Sequence, residues 1–155
     1  MIQKIQELLS ALVPSDGEAV LMSIGAGFGA AVSFAFGDVD DAFLWLLAFI
    51  AADYVTGTVA AFRSGEWSSQ TGFTGIFKKV FILLVVSMCH GLDVATGTDL
   101  LRNVSIFAYG LNEAGSILEN VDRLGYGKLI PAVIRRGLKQ LRKKEEKLFN
   151  GSEEI

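Results

Sequence analysis

The sequence predicts an all-α integral membrane protein with about four transmembrane helices, two strongly and two more weakly indicated, plus short amphipathic helices at the N-terminus and the basic C-terminus. The chain has 155 residues, of which 51% are hydrophobic and 20% are charged, and its mean hydropathy is +0.43. Because a short chain has a high ratio of surface to volume, this composition leaves too little polar surface for a water-soluble domain. Two prolines and the absence of repetitive tracts argue against disorder.

The content of cysteine and histidine excludes several functional classes. One cysteine cannot form an intramolecular disulfide, and one cysteine with one histidine cannot supply the ligands of a zinc site. Cys89 and His90 are neighbours, so on a helix their side chains point about 100° apart, and the chain has no second histidine. The sequence therefore predicts no catalytic residues, no cofactor and no bound metal, and we do not expect an enzyme.

The first predicted elements are an amphipathic helix and a strong transmembrane span. Residues 1–14 place apolar side chains on one helical face, and Pro14 ends this segment. Ser15 and Glu18, three positions apart, form the pattern of a capping box at the start of a new helix. Residues 19–37 then contain no charge, and nineteen helical residues extend about 28 Å, close to the ~30 Å hydrocarbon core of a bilayer.

The second span is predicted over residues 42–62, where Asp53 is the one acidic or basic residue. Nine Phe, Leu, Ile and Val residues contribute roughly −3 to −5 kcal/mol toward insertion, whereas one central aspartate costs roughly 2.5 to 3.5 kcal/mol. Insertion is therefore favoured. The aspartate is expected to face other helices or water, because a lipid-facing carboxylate has no partner.

Two weaker spans are predicted at residues 79–97 and 103–120. The third span contains only thirteen consecutive uncharged residues, so Lys79 at its start is expected to extend its charged group toward the membrane interface. The fourth span contains Glu113 and is the least hydrophobic of the four. Hydropathy alone does not decide whether these two segments cross the membrane.

The distribution of basic residues predicts the topology. Lys and Arg are enriched on the cytoplasmic side, which places Arg63, Lys78, Lys79 and the basic tail inside and the acidic turn 37–41 outside. An even number of crossings must then separate the two basic regions. Four spans with both termini in the cytoplasm meet this condition, and two spans plus a re-entrant hairpin remain an alternative. Arg102, at the outer end of the fourth segment, runs against the rule.

Residues 121–155 are predicted to form a cytoplasmic tail with a basic amphipathic helix. Residues 128–147 carry eight bases and two acids, while the rest of the chain carries a net charge of −9. Apolar residues recur at helical spacing beneath these bases, a pattern typical of a helix on an anionic lipid surface. A solvated tail is the alternative, and nucleic acid is not expected because no aromatic residues interleave the bases. The bases expected to contact lipid are Arg135, Arg136, Lys139, Arg142 and Lys143.

Two predicted spans carry a stripe of polar residues at helical spacing. In the second span the stripe is formed by Asp53, Thr56 and Gly57, and Gly57 also lets a neighbouring helix approach closely. Such groups must be buried between helices or placed against water. Hydrogen bonding between helices, lining of an aqueous lesion and a proton relay all remain open. In the fourth span the stripe is formed by Asn112, Glu113, Ser116 and Asn120.

The first span contains a pattern that favours contact between helices. Gly25 and Gly29 are four residues apart, and further small residues surround them. Small residues at this spacing allow two helix backbones to approach closely. The pattern favours self-association, and we expect a homo-oligomer.

Several of these residues together resemble one protein family. They are Asp53-x-x-Thr56-Gly57, Ser68-Ser69, Gly72-Phe73, Gly75-Ile76, Lys78-Lys79, Asn112-Glu113-x-x-Ser116-Ile117-Leu118-x-Asn120, Gly125 and Pro131. The most specific part is the string NE-x-x-SIL-x-N at residues 112–120. With these residues the chain is similar to the holin family of phage lysis and toxin secretion in Gram-positive bacteria and their phages, and the similarity extends from about residue 44 to residue 141.

The resemblance implies a function and partners. Holins are small proteins of the bacterial cytoplasmic membrane that oligomerise and permeabilise it, releasing a cell-wall hydrolase (an endolysin) or a large toxin. Residues 15–120 would then form the transmembrane holin domain, and an endolysin or a secreted toxin would be the functional partner. An antiholin, a regulatory or structural subunit and a small ion channel would show the same spans and stripes, so these alternatives remain open.

Overall fold

The structure is a computed structural model that describes residues 15–150, with side chains for residues 15–144. All regular structure within residues 15–150 is helical, which confirms the predicted all-α class. The amphipathic helix expected over residues 1–14 lies outside the described residues. The elements are α1 (Asp16–Phe36), α2 (Asp41–Arg63), α3 (Ser69–Thr96), α4 (Leu100–Arg123), a 3₁₀ turn (Gly127–Leu129) and α5 (Ala132–Asn150).

The chain divides into two compact units, and α1 belongs to the first, which ends at Asp38. Ser15 and Glu18 form the predicted capping box: the Glu18 amide donates to Ser15 Oγ (3.4 Å), and the Ser15 amide donates to the Glu18 carboxylate (2.8 Å). α1 has no buried residue, and no atom lies within 4 Å of where a Cβ would stand at Gly25 or Gly29. Self-association through this face stays a prediction.

The second unit begins at Val39 and contains a bundle of α2, α3 and α4 followed by α5. Arg102 near the start of α4 meets Asp40 before α2, and Asn120 near the end of α4 meets Gly57 in the second half of α2. α2 and α4 therefore run parallel and pack directly against each other, and α3 runs in the opposite direction and packs mainly against α4. The buried apolar core of the bundle consists of Phe43, Leu46, Ala60, Ala61, Ile82, Val86, Ile106 and Leu111.

α3 begins ten residues before the third span that hydropathy places at residue 79. The Ser68 hydroxyl accepts the Thr71 amide (3.0 Å) and caps the first turn, so the helix starts there. Lys78 and Lys79 lower the local hydropathy, but lysine is a good helix former and does not interrupt the helix. The 28 residues of α3 extend about 42 Å.

Three of the described helices, α1, α2 and α3, are long and apolar enough to cross a membrane. α4 has sufficient length, with 24 residues, but it does not reach the hydropathy of a span, so the predicted count of four is not confirmed. The solvent-accessible surfaces of α2 and α3 are largely apolar, which suits contact with lipid tails. Exposed examples are Trp45, Val55, Phe62, Phe77, Phe81 and Leu84.

Candidate functional site

A group of three charged side chains lies inside the bundle, one on each helix. Lys79 on α3 donates from Nζ to Oδ2 of Asp53 on α2 (2.6 Å) and to Oε2 of Glu113 on α4. The exposed fractions of the side chains are 15% for Lys79, 15% for Asp53 and 3% for Glu113. We call these three residues the central ion cluster. The structure thus brings together the two acids of the predicted stripes and places a lysine between them.

Asn120 connects the polar stripe of α4 to that of α2. Its side-chain amide donates to Oδ1 of Asp53 (2.9 Å) and to Oγ1 of Thr56 (3.3 Å). The Thr56 hydroxyl in turn donates to the carbonyl of Ala52 (2.8 Å). A Cβ at Gly57 would lie only 3.2 Å from Nδ2 of Asn120, so the missing side chain at Gly57 is what allows this approach. The close packing predicted for Gly57 therefore serves a polar contact.

The central ion cluster contains one ammonium group and two carboxyl groups. Burying a charge is costly unless it is paired and hydrogen-bonded, and both carboxyl groups bond to Lys79. No buried side-chain nitrogen or oxygen in the described part of the chain lacks a hydrogen-bond partner. The cluster therefore fixes the positions of three helices relative to one another.

A polar cleft of about 680 Å³ adjoins the central ion cluster. Asp53, Ser116 and Asn120 line it at one end. Glu66 and Arg123, which form an ion pair of 2.7 Å, line it where α2 and α4 end. At ~30 Å³ per molecule, this volume is on the order of twenty waters, so the cleft can hydrate the polar side chains beside the cluster.

Asn112 is separated from the other residues of its predicted stripe. Glu113, Ser116 and Asn120 follow one another at helical spacing, whereas Asn112 lies about 100° around the helix from Glu113. Asn112 is exposed, and its side-chain oxygen accepts a hydrogen bond from Nη2 of Arg142 on α5 (3.0 Å). The structure therefore divides the stripe: three residues face the cluster and the cleft, and one faces α5.

A second charged group lies at the end of the bundle where α2 and α4 begin and α3 ends. We call it the terminal ion cluster, and it contains Asp40, Arg102 and Asp93. Arg102 donates from Nη1 to Oδ2 of Asp40 (2.8 Å), the residue that caps α2. The other oxygen of Asp40 accepts the amide of Phe43 (2.8 Å). The bonds from Arg102 and from the Phe43 amide lower the pKa of the Asp40 carboxyl below its ordinary value.

Asp93, near the end of α3, caps the start of α4. Its Oδ2 accepts the amide of Arg102 (2.7 Å), and its Oδ1 accepts the amide of Leu101 (3.1 Å) and the hydroxyl of Thr98 (2.6 Å). The first amides of a helix have no partner within the helix, so these bonds satisfy them. Asp99, directly before α4, makes no side-chain capping bond. The cap of α4 therefore comes from the preceding helix.

The basic residues of α5 lie in two environments. Arg135 bonds to both carboxylate oxygens of Asp122 (2.7 and 2.5 Å), and Arg142 bonds to Asn112, so these two arginines hold α5 against α4. Lipid contact by the predicted bases stays a prediction. The other three of them are exposed: Arg136, Lys139 and Lys143.

Sequence reasoning missed the roles of Lys79 and Asp93. The expectation that Lys79 extends to the membrane interface is wrong, because its ammonium group bonds to Asp53 and Glu113 inside the bundle. A signal for this contact exists in the sequence: the two acids of the predicted polar stripes need a cation, and Lys79 is the one base within a predicted span. Asp93 carries no such signal, since its capping bonds depend on how the chain turns between α3 and α4.

Apolar helices packed around buried, paired charges define a polytopic α-helical membrane protein. No solved structure matches the chain. The chain belongs to the bacteriophage holin family, whose model matches residues 30–143 and thus includes the bundle, both ion clusters and most of the described part of α5. This match confirms the resemblance inferred from the motifs.

The chain is also similar to individual proteins, one of which is named as a probable holin. An uncharacterized protein of Listeria innocua is 42% identical over 118 residues, which are 75% of this chain and 83% of that protein. An uncharacterized 14.9 kDa protein of Clostridium perfringens is 38% identical over 127 residues, 81% of this chain and 92% of that protein. A probable holin of Bacillus phage phi105 is 31% identical over 103 residues, 66% of this chain and 74% of that protein.

Proposed function

We propose that the chain is a holin that assembles as a homo-oligomer in the bacterial cytoplasmic membrane and permeabilises it, so that an endolysin or a large toxin leaves the cell. The observation that carries this proposal is the match of the holin family model to residues 30–143. That region contains two of the three helices apolar enough to cross a membrane, α2 and α3, and the central ion cluster.

α4 crosses the membrane together with α2 and α3 in this proposal. Its low hydropathy is offset because its polar side chains face inward: Glu113 bonds to Lys79, and Asn120 bonds to Asp53. With α1, the chain then has four spans, and the N-terminus and the turn between α4 and α5 lie in the cytoplasm. The terminal ion cluster lies outside, where the charge of Arg102 is neutralised by Asp40, so this arginine is compatible with the topology.

Assembly in this proposal uses the surfaces that a single chain leaves open. The face of α1 with Gly25 and Gly29 has no neighbouring side chain in the first unit, and such faces associate well in lipid. The polar stripes, by contrast, are satisfied within one chain, so their hydrogen bonds do not depend on assembly.

Anionic lipid is the proposed partner of the cytoplasmic end of the bundle. Lys128 in the 3₁₀ turn and Arg136 in the first turns of α5 are exposed close to the end of α4. Each such base contributes about 1 kcal/mol of attraction to an anionic leaflet. These two residues are the bases best placed to meet lipid headgroups.

The test of the proposed function is inducible expression of the full chain in a bacterium that also contains a cytosolic peptidoglycan hydrolase without a signal peptide. Membrane potential and culture turbidity are followed together. We expect sudden depolarisation followed by lysis only when both proteins are present. Depolarisation without lysis would indicate a small channel, and no change in either signal would indicate a regulatory or structural subunit. Both outcomes contradict the proposal.

The same assay tests the role of the central ion cluster. Asp53→Leu and Glu113→Leu each remove one carboxyl group and leave Lys79 paired with the other, so both variants should still insert. We expect a change in the time of depolarisation or in oligomer size, because the polar contacts between the helices are altered. Asp41→Leu, at an exposed position in the first turn of α2, is the control. Unchanged timing and oligomer size in both cluster variants would exclude this role.

A further inference from the structure

α5 folds back along α4 as an antiparallel neighbour. Arg135, in the first turns of α5, bonds to Asp122 near the end of α4, and Arg142, two turns later, bonds to Asn112. Asp122 and Asn112 are ten residues apart, about 15 Å along the helix. α5 therefore follows the second half of α4 and does not leave it at the end of the bundle.

Gly115 on α4 has no side chain, which leaves room for the guanidinium group of Arg142. A Cβ at Gly115 would lie 3.1 Å from Cζ of Arg142, so the guanidinium group rests directly on the backbone of α4. Glu119 and Asp122 line the same groove, which has a volume of about 320 Å³. Leu118 and Leu138 also line it, so the groove between α4 and α5 combines charged side chains with apolar ones.

The depth of this contact follows from the central ion cluster. Asn112 directly precedes Glu113, which is bonded to Lys79 inside the bundle. Asn112 therefore lies at the level of the cluster, and so does the end of Arg142 that bonds to it. A helix with several bases reaches the level at which α2 and α3 are embedded in lipid.

Lipid tails cannot surround such a helix. A lysine or arginine at the centre of a bilayer costs roughly 2.5 to 3.5 kcal/mol, and α5 carries three consecutive bases at residues 142–144. At the same level, α2 and α3 expose the apolar side chains of Val55 and Val80, together with the charged side chain of Lys78, which lines the polar cleft. The bases of α5 therefore suit water better than lipid tails at this level.

We propose that the surface formed by the second half of α4 and by α5, here the α4–α5 wall, faces water within the membrane and lines the lesion. This inference rests on the proposed function, and it names the lining that the function needs. The polar stripes around Asp53 and Glu113 then hold each subunit together and do not form the lining. The lining is positively charged. It contains Arg142, which bonds to Asn112, and the exposed bases Lys143 and Lys144 next to it.

Reactivity of single cysteines with a membrane-impermeant, anionic thiosulfonate reagent tests this assignment. Cys89→Ser removes the one native thiol, and Asn112→Cys or Lys143→Cys then reports on the α4–α5 wall. Val55→Cys and Val80→Cys are matched controls, because they are exposed at the same level on α2 and α3. A thiol reacts as its thiolate, which forms in water and not in lipid. We expect both wall positions to react at least about tenfold faster than both controls.

Three results would overturn the inference. If Asn112→Cys reacts as slowly as Val55→Cys, α4 faces lipid or protein at this level. If Lys143→Cys reacts but Asn112→Cys does not, α5 lies away from α4 in the membrane. If all four positions react equally, α2 and α3 are not embedded at all. Depolarisation of the same cells is recorded in parallel: its absence with the wall pattern intact contradicts the proposed function and the lesion, while the α4–α5 wall still faces water.

Discussion

The central and terminal ion clusters each contain one basic and two acidic side chains but differ in the burial of the ion-paired acids. In the central cluster Lys79 joins carboxyl groups that are 15% and 3% exposed, and each group belongs to a different helix. In the terminal cluster Arg102 and Asp93 are buried as well, but Arg102 bonds to Asp40, whose side chain is 41% exposed. A buried charge depends on its partner, whereas an exposed one can be hydrated when the partner is lost. The central cluster is therefore expected to be the more sensitive of the two.

The two clusters also stabilise different features. The central cluster contains contacts between residues far apart in the sequence and sets the level of α3 against α2 and α4. The terminal cluster mainly completes helix ends: Asp40 caps α2, and Asp93 caps α4. Changes in the central cluster should disturb the packing of helices, and changes in the terminal cluster should disturb helix starts.

Lys79→Leu is expected to have the largest effect. It leaves Asp53 and Glu113 buried without a cation, and breaking a buried ion pair in this way costs about 3–5 kcal/mol. The free energy of unfolding, measured by denaturation of the purified protein in detergent micelles, should fall by this amount. Lys78→Leu is the control, since Lys78 is the exposed neighbour in the same helix. Equal losses in the two variants would show that charge at this point of the helix, and not the cluster, matters.

Gly57→Val tests the polar contact next to the central cluster. The new side chain would displace the amide of Asn120 from Asp53, and overpacking of this kind costs about 1–3 kcal/mol. Gly91→Val is the control, because no atom lies within 4 Å of a Cβ at that position. The same denaturation measurement should separate the two variants. A loss no greater than that of the control would mean that Asn120 moves without cost.

Asp93→Ala tests the terminal cluster. It removes the acceptor of two amides at the start of α4, so this helix should fray at its first turn and the unfolding midpoint should fall by less than in Lys79→Leu. Hydrogen exchange of the amides of Leu101 and Arg102 measures the fraying directly. Asp99→Ala, at the neighbouring position without a capping bond, should leave their exchange unchanged. Faster exchange in Asp99→Ala alone would reverse the assignment of the cap.

Asp40 should contribute the smallest effect, and the pH dependence of this effect lies in the acid range. Its pKa in the folded chain lies below the ordinary value of about 3.9, because Arg102 and the Phe43 amide favour the charged form. The stabilisation is therefore complete above that value and is lost as the pH falls through the lowered pKa. Unfolding midpoints between about pH 6 and pH 2 should fall less steeply in Asp40→Asn than in the parent chain. Identical profiles would exclude a contribution from this carboxyl.

The sequence allowed the elements to be predicted better than the contacts between them. Uncharged runs and the capping box predicted α1 and α2 to within a few residues, because both signals are local. The start of α3 was not predicted. Hydropathy indicates which residues prefer lipid, whereas the first residue of α3 is set by the N-cap residue Ser68. The acids of the central cluster were recognised from their placement in apolar spans. Their cation was not, because the level at which α3 packs against α2 and α4 is a property of the whole bundle.

α3 exceeds the hydrocarbon thickness of a typical bilayer by about 12 Å. Accommodation by tilt alone would need about 45°, beyond the 0–40° found for transmembrane helices. The hydrophobic mismatch must therefore be relieved in part by overhang, and the ends of α3 suit this, with Gln70 and Thr71 at one end and Thr96 at the other. In a thicker membrane, more of the residues at the ends of α3 lie within the lipid. Bilayer thickness thus acts on the level of Lys79, and through it on the three helices that this lysine joins.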